Sequence, residues 1–363
     1  MKQRVARQKV FFESDKPGDM LVYVDRSRYA SLEGFLCTEL FQHSPGEVLE
    51  PAYVDDMIDR YVRQLRESLP NVYATDDDII PCALVYWGVG CITAAMTGRE
   101  PFHDEVCSWL EPNLSWEEIG ELRFDPDNKW VRFALHINQA LWKRWEEDFF
   151  VLPFLHRSPL DAANGIRGAE LFAEMYTDPE RVKRLVDWSA DWMIALERFI
   201  DENAGRPRGW GNGVWDTWLP DGGVFVNGDP VGLISREMMP VFEQPYTAKL
   251  FTTLGGGFFH NHTVGLYQVD QVAKTPGLRV QEFVPDPKEP NVQDVLLSND
   301  KMRDTILSAS LDSPIMIERV MPDQLDGLLP IVRQGRFILA CRSGEDGDPG
   351  EMVRKVRAAA AAG

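Results

Sequence analysis

The chain has 363 residues, of which 44% are hydrophobic and 26% are charged, with a formal net charge of −19. This is the composition of an ordinary globular protein, and so negative a surface makes nucleic acid and anionic membranes poor partners. No stretch is apolar for long enough to span a bilayer, and the charged N-terminal residues lack the apolar core of a signal peptide. Five scattered cysteines fit a reducing compartment. We therefore expect a cytoplasmic protein with no membrane partner.

Short apolar runs that recur along the whole chain predict β-strands. Their length and their content of β-branched and aromatic residues favour strands over helices. Continuous apolarity, rather than alternation, is typical of strands that are buried on both faces of a parallel sheet. The predicted strands are 20–24, 79–87, 148–155, 224–227, 257–260, 279–284, 314–318 and 337–341.

Helical patterns separate these strands. In 53–69, apolar residues recur every four positions and form one stripe. Asp178, followed by Pro179, predicts the capped start of a helix over 178–201. Further helices are expected over 236–254 and from about residue 349 to the end. The alternation of strands and helices predicts an α/β fold.

No repeat or low-complexity linker divides the chain, so we expect one domain over 1–363. Residues 1–75 would supply its first strand and an N-terminal helical extension. The segment 205–223, rich in Gly, Pro and Trp, is the least regular part and is interpreted as an inserted loop. Its tryptophans 210, 215 and 218 could form a stacking wall for a planar ligand, but packing in a core is favoured.

Several predicted strands end in polar residues that are capable of chemistry. The carboxyl ends of parallel strands in a barrel meet at one rim, and that rim carries the active site. Any one such residue could simply mark where a strand meets water, so the recurrence is what indicates a pocket. The residues in question are Arg26, Arg28, Asp229, His260, His262, Glu282, Glu318 and Cys341.

The sharpest local motif is His260-Asn261-His262. Residues i and i+2 of a strand project from the same face, so both imidazoles could reach one metal ion. Cys341 is a candidate third ligand, because imidazole and thiolate both suit zinc. Such a short motif is common by chance, and the alternative is two histidines that bind substrate or backbone without a metal.

Two further features could contribute to a site. Arg26 and Arg28 are also related as i and i+2, and two guanidiniums on one side could clamp a carboxylate or phosphate. The alternative is a pair of ordinary surface arginines. Asp78 directly precedes an apolar run, where its carboxylate could be drawn into the pocket and its pKa tuned.

Four segments together resemble the uroporphyrinogen decarboxylase superfamily. The run 76–90 is similar to the segment in which Ser-Asp-Ile precedes a proline and a Gly-x-Gly, and 167–188 is similar to the Tyr-x-Asp-Pro-Glu-x-Val helix start. The stretch 228–251 resembles the "Asp…Ser-Pro-Glu…Phe…Pro-Tyr" pattern, and 255–265 the "His-x-Cys/His-Gly" strand end. These matches lie in the family order and cover most of the chain. The resemblance implies a single (β/α)8 TIM barrel.

The superfamily contains a heme-pathway decarboxylase and zinc-dependent methyltransferases that move methyl groups between corrinoid proteins and thiols. The resemblance places Asp78 at the decarboxylase's essential aspartate. It places His260, His262 and Cys341 at the methyltransferases' zinc ligands, with His262 in place of a cysteine. The run VDRSRY at 24–29 lacks the Gln-Ala-Gly of the decarboxylase's arginine-bearing signature. This difference argues against porphyrinogen decarboxylation.

Three functions follow, in order of preference. The first is a zinc-assisted methyltransferase that acts on a small-molecule substrate, with a corrinoid protein as a possible partner and a thiol as acceptor. The second is a decarboxylase of a porphyrinogen-like polycarboxylate, and the third is a non-catalytic ligand-binding barrel. The expected catalytic residues are Asp78, Asp229 and Glu282, and the expected substrate-binding residues are Arg26, Arg28 and His260.

Overall fold

The computed structural model describes residues 1–105, 107–111, 113–207, 211–219, 223–344 and 347–362. The strands are β1 (Met20–Val24), β2 (Cys82–Leu84), β3 (Phe102–His103), β4 (Ser108–Trp109), β5 (Phe150–Leu152), β6 (Leu155–Arg157), β7 (Asn212–Val214), β8 (Thr217–Leu219), β9 (Val224–Asn227), β10 (Gly257–His262), β11 (Leu278–Val284), β12 (Ile315–Val320) and β13 (Phe337–Cys341). The helices are α1 (Lys2–Glu13), α2 (Leu32–Gln42), α3 (Pro45–Val48), α4 (Pro51–Tyr73), α5 (Cys91–Thr97), α6 (Trp116–Glu121), α7 (Lys129–Arg144), α8 (Pro159–Arg167), α9 (Glu170–Thr177), α10 (Pro179–Asn203), α11 (Met239–Phe242), α12 (Gln244–Leu254), α13 (Val269–Val272), α14 (Val292–Ser298), α15 (Asp300–Asp312), α16 (Pro322–Val332) and α17 (Pro349–Ala361).

A parallel sheet of seven strands forms the centre of this α/β protein, in the order β1-β13-β12-β11-β10-β9-β6. β2 pairs in parallel with β5, which precedes β6 by only two residues. The strands from β9 to β13 thus each lie beside the next strand of the chain, as in a (β/α)8 barrel, and β13 lies beside β1. Between β1 and β2 the described residues form no strand ladder, and the amide of Asp78 donates to the carbonyl of Val22 at 2.9 Å instead. The fold is therefore TIM-barrel-like, without a closed ladder.

The predicted α/β class is confirmed, and the predicted strands at 20–24, 224–227 and 337–341 are observed with the same bounds. The strand expected over 79–87 is shorter, because only Cys82–Leu84 pairs. The run 148–155 is divided around Pro153 into β5 and β6. Proline lacks the amide hydrogen that a ladder requires, which explains the interruption.

The helices follow the sequence patterns closely. The side chain of Asp178 accepts a hydrogen bond from the amide of Arg181 at 3.3 Å and caps α10. The helix expected over 236–254 forms as two helices, α11 and α12, which meet at Glu243. In the part of the chain that the structure describes, no helix is both long and apolar enough to cross a membrane.

The two faces of the sheet bury different sets of side chains. On β13, Leu339 and Cys341 pack in an apolar cluster with helix residues such as Val353 and Val356 of α17. Ile338 and Ala340, which alternate with them along the strand, belong to the cluster inside the barrel. Successive side chains of a strand point to opposite faces, so both faces of the apolar run are buried, as predicted.

The interior is filled by an antiparallel hairpin, β7–β8, between α10 and β9. Its tip, Trp215 and Asp216, has left-handed backbone conformations, with φ of 40° and 68°. The ring of Trp215 packs edge-on against Phe225 at a centroid distance of 4.5 Å. Gln8 of α1 donates to the carbonyl of Asp216 at 2.8 Å and accepts from the amide of Trp218 at 2.6 Å. The segment 205–223 thus contains a hairpin that packs inside the sheet.

Candidate metal centre at the strand ends

Three potential metal ligands converge where β9 and β10 end. His260 and His262 are the i and i+2 pair at the end of β10, and Asp229 follows β9 by two residues. Each offers one ligand atom, and these atoms all lie within 4.8 Å of one another. The parallel pairing of His260 with Asn227 brings the ends of the two strands side by side. Asp229 is therefore a candidate third ligand beside the two histidines.

His260 is buried and is oriented by a carboxylate on the next strand. Its Nδ1 lies 2.6 Å from Oε2 of Glu282, the residue opposite it on β11. Burial lowers the pKa of His260 to about 4, so its imidazole is neutral at physiological pH. Since Glu282 accepts from Nδ1, the lone pair of His260 lies on Nε2, the nitrogen that remains for a ligand.

His262 has the same arrangement with a different acid. Its Nδ1 lies 2.9 Å from Oδ1 of Asp286, and its Nε2 lies 3.3 Å from Oδ1 of Asp229. The other oxygen of Asp286 accepts from the amide of Val264 at 3.1 Å, which fixes the carboxylate. The contact of Nδ1 with Asp286 leaves Nε2 of His262 directed at Asp229.

Asp229 completes the centre and has an unsatisfied oxygen. Its Oδ2 accepts from Nδ2 of Asn227 at 3.0 Å. Its Oδ1 is buried and has no hydrogen-bond partner among the described residues. Burial raises the pKa of Asp229, and the neighbouring carboxylate of Asp161 raises it further. Oδ1 of Asp229 and Nε2 of His262 lie 3.3 Å apart, and a metal ion or a proton between them would satisfy both atoms.

The donor set fits a metal ion. Two imidazoles and one carboxylate form a common catalytic zinc site, and the same set also suits iron(II). The contacts of Glu282 and Asp286 with Nδ1 are the outer contacts that orient metal-bound histidines. His260 and Oδ1 of Asp229 are buried, whereas the side chains of His262 and Asp229 are 34% and 41% exposed, so the candidate site has a buried side and a side open to solvent.

Beside this centre, Arg26 lies among three carboxyl groups. Its Nε is 2.6 Å from Oδ2 of Asp216, and its Nη1 contacts Glu318 and lies 3.7 Å from Oε1 of Glu282. Tyr29 donates to the other oxygen of Asp216 at 2.6 Å. Burial raises the pKa of Glu318 to about 7, and the adjacent Glu282 acts in the same direction. The cluster holds more acids than cations, so Glu318 retains a proton near neutrality.

The structure does not bring Cys341 to the histidines, and the expected third ligand is corrected here. Its thiol packs on the outer face of β13, where it contacts the carbonyl of Leu339 at 3.7 Å. Burial raises the pKa of this thiol to about 12. The sequence places the cysteine at a strand end, but its position in the two-residue alternation points it toward the helices rather than the rim.

Asp78 and Arg28 are also located apart from the histidines. Asp78 accepts from Nε of Arg7 and Nη2 of Arg357, both at 2.6 Å, and from the amide of Val22 at 2.9 Å. These contacts engage both carboxylate oxygens of Asp78 and link it to α1, α17 and the middle of β1. Arg28 contacts the carboxylate of Asp77. Neither residue contributes to the group of candidate ligand atoms, which Asp229, His260 and His262 form.

Arg26 and Arg28 therefore do not form the pair of free guanidiniums that a carboxylate clamp requires. Both are paired with carboxylates of the protein itself. The tryptophans differ among themselves: the ring of Trp215 lies 5.0 Å from that of His260, whereas Trp218 contacts Nζ of Lys9. Trp210 lies outside the described residues.

Sequence reasoning missed two residues of this region. Asp286 lies two positions beyond the end of β11, and a search that extends past the strand would include it. Asp216 lies at the tip of the β7–β8 hairpin, where no strand-end pattern marks it. Asp216 stands out only in the structure, where it is a buried acid with a left-handed backbone conformation. This combination is uncommon.

No protein-family model matches the sequence, and no curated protein sequence matches it. Among solved structures, the chain is similar to a methyltransferase from Methanosarcina mazei, with a TM-score of 0.51. The two sequences are 11% identical, and the similarity covers 94% of this chain and 94% of that one. At this identity the likeness shows a shared fold over nearly the whole length.

Proposed function

We propose that this protein is a methyltransferase of the uroporphyrinogen decarboxylase superfamily that uses a zinc ion held by Asp229, His260 and His262. The observation that carries the proposal is the buried Oδ1 of Asp229, which has no hydrogen-bond partner among the described residues and lies 3.3 Å from Nε2 of His262. The fold shared with an archaeal methyltransferase supports the same class of reaction. It extends over almost the whole chain.

Zinc at this position would lower the pKa of a thiol-type acceptor and present the resulting nucleophile to a methyl donor. The protein's own residues would prepare this site. Glu282 and Asp286 would accept from Nδ1 of the two imidazoles and so leave Nε2 of each for the metal ion. Asn227 fixes one oxygen of Asp229, so that the other points at the histidines.

The Arg26 cluster would maintain the orientation of Glu282. Arg26 is held by Asp216 of the hairpin tip, and its guanidinium lies between Glu282 and Glu318. The proton of Glu318 keeps two adjacent acids from repelling each other. The ring of Trp215 packs edge-on against His260 and limits its rotation.

The methyl donor and acceptor are part of the proposal. Resemblance to the zinc-containing methyltransferases supports a methylated corrinoid protein as donor and a small thiol as acceptor. No observation favours the decarboxylase, because Arg26 and Arg28 are both bound to carboxylates of the protein and Asp78 is remote from the centre.

The proposal is tested by incubating zinc-loaded protein with methylcobalamin and 3-mercaptopropionate. We expect the absorbance of methylcobalamin to decay and the S-methyl product to appear in mass spectra. Asp229→Asn should reduce the rate by at least about 100-fold, since loss of one of three protein ligands cripples the site. Cys341→Ser is the control and should keep the wild-type rate. Product formation that is equal in wild type and Asp229→Asn would contradict the proposal.

A further inference from the structure

A cavity with a volume of about 380 Å³ lies beside the strand ends, between α5 and α8. We call it the Arg157 cavity. Its walls are mainly apolar, and its polar end lies against β6. The apolar side chains are those of Val89, Trp109, Leu110 and Phe172, and the polar ones include Thr93 and Arg157.

Arg157, the last residue of β6, has a fixed orientation and a free nitrogen. Its Nε and Nη2 both donate to the carboxylate of Asp161 at 2.7 Å, in a bidentate pair. No described residue accepts a hydrogen bond from its Nη1. Because the pair with Asp161 holds the guanidinium plane, Nη1 is presented to the cavity at little entropic cost.

Thr93 supplies a second unused donor. Its side chain is only 1% exposed, and its Oγ1 has no hydrogen-bond partner among the described residues. Buried hydroxyl groups are usually satisfied, so an unpaired one that lines a cavity indicates a missing partner. The missing partner would be a group from outside the chain.

The two donors converge on one point. A Cβ atom at Gly165 would lie 2.6 Å from Nη1 of Arg157 and 2.7 Å from Oγ1 of Thr93. Glycine is unfavourable within a helix such as α8, yet any side chain here would clash with both donors, so Gly165 lets Nη1 and Oγ1 pack together beside its Cα. An oxygen atom of a ligand in the adjoining cavity could accept hydrogen bonds from both groups.

We propose that the Arg157 cavity binds the carboxylate of a small acid with an apolar body. A guanidinium and a hydroxyl group both donate, and carboxylate oxygens are the natural acceptors for a planar guanidinium. The apolar part would pack on Trp109 and Phe172. The site requires no metal, so this inference goes beyond the proposed function.

The Arg157 cavity is nevertheless close to the candidate metal centre. Arg157 is paired with Asn227 in the register of β6 and β9, and Nδ2 of Asn227 donates to Asp229. An acid bound at Arg157 is thus separated from the metal ligand Asp229 by one side chain. This position suits a ligand that shares the strand-end rim with the metal centre.

The test is calorimetric titration of metal-free protein with 3-phenylpropionate and with its neutral amide. We expect the acid to bind at least about tenfold more tightly than the amide, a difference typical of one lost charge-assisted hydrogen-bond pair. Gly165→Ala should weaken acid binding at least about tenfold, because the new methyl group would displace Nη1 of Arg157 and Oγ1 of Thr93 from their positions. Gly120→Ala is the matched control: an added Cβ there has no heavy atom within 4 Å, and binding should be unchanged.

Thr93→Val keeps the shape of the side chain and removes the hydroxyl group. It should weaken binding of the acid several-fold, and circular dichroism would verify that each variant is folded. If Gly165→Ala does not fold, Thr93→Val decides the question. Equal binding of acid and amide, no binding of the acid, or unchanged affinity in Thr93→Val would each overturn the proposal. Because the protein is metal-free, these outcomes are independent of zinc binding.

Discussion

Two groups of buried acids lie along the same barrel-like sheet, and they differ in how their charges are balanced. At the β1–β2 seam, Asp78 accepts hydrogen bonds from two arginines and a backbone amide, and Asp77 contacts Arg4 and Arg28. At the ends of β9 to β12, the acids outnumber the cations, and Oδ1 of Asp229 has no hydrogen-bond partner among the described residues. The balanced cluster needs no further charge, whereas the unbalanced one is where we propose that a cation binds.

The largest effect on the free energy of unfolding is expected from Asp78→Asn. It leaves the guanidiniums of Arg7 and Arg357 without their shared carboxylate, and breaking such a buried pair costs about 3–5 kcal/mol. Urea unfolding should show this loss while zinc binding is retained. Asp76→Asn is the control, since its side chain is 81% exposed and its pair with Arg7 contributes less than about 1 kcal/mol. A loss of zinc with intact stability would assign Asp78 to the metal centre after all.

The next effect concerns the pH dependence of stability. Because the pKa of Glu318 is raised from 4.5 to about 7, the folded state retains a proton that the unfolded state releases between these values. The free energy of unfolding should therefore fall as pH rises from 4.5 to 7, by about 3 kcal/mol from this group. Glu318→Gln should remove that part of the slope, as followed by urea unfolding at pH 5 and pH 8.

The exposed Glu289 provides the control for this measurement. Glu289→Gln should leave the pH dependence as in the wild type. An identical slope in wild type and Glu318→Gln would show that the acids around Arg26 are not crowded enough to hold a proton.

A smaller effect, on metal affinity, is expected from Glu282→Gln. The amide cannot hold the Nδ1 proton of His260 as the carboxylate does, and loss of such an outer contact weakens metal affinity by about 10–100-fold. Competition with a chelator would measure the change. Glu197→Gln is the matched control, because Glu197 makes an equivalent 2.7 Å contact with the buried His156 away from the centre. Equal losses in both variants would indicate a general effect on folding.

The sequence predicted the architecture well because apolar runs and caps are local signals. Buried strands such as 337–341 and the Asp178 cap need no distant information. The paired histidines are equally local, since i and i+2 on a strand share a face. The prediction for Cys341 was wrong because it did not consider that side chains alternate between the two faces of β13. Cys341 lies at the end of this strand, but on the face that packs against helices.

Other members of the site depend on contacts that no local pattern records. Asp216 reaches Arg26 across 190 residues because a hairpin folds into the sheet interior. Asp78 resembled a site residue by its position before an apolar run, yet its partners come from both ends of the chain, on α1 and α17. Charge balance, which distinguishes the two acid groups, becomes visible only when these distant partners are known.

The most direct test of the account is the zinc content of protein purified without a chelator, measured by mass spectrometry for wild type, Asp229→Asn and Cys341→Ser. The ligand set of Asp229, His260 and His262 predicts close to one zinc per chain in wild type and in Cys341→Ser, and a nearly complete loss in Asp229→Asn. Retention of zinc by Asp229→Asn together with its loss from Cys341→Ser would contradict the account.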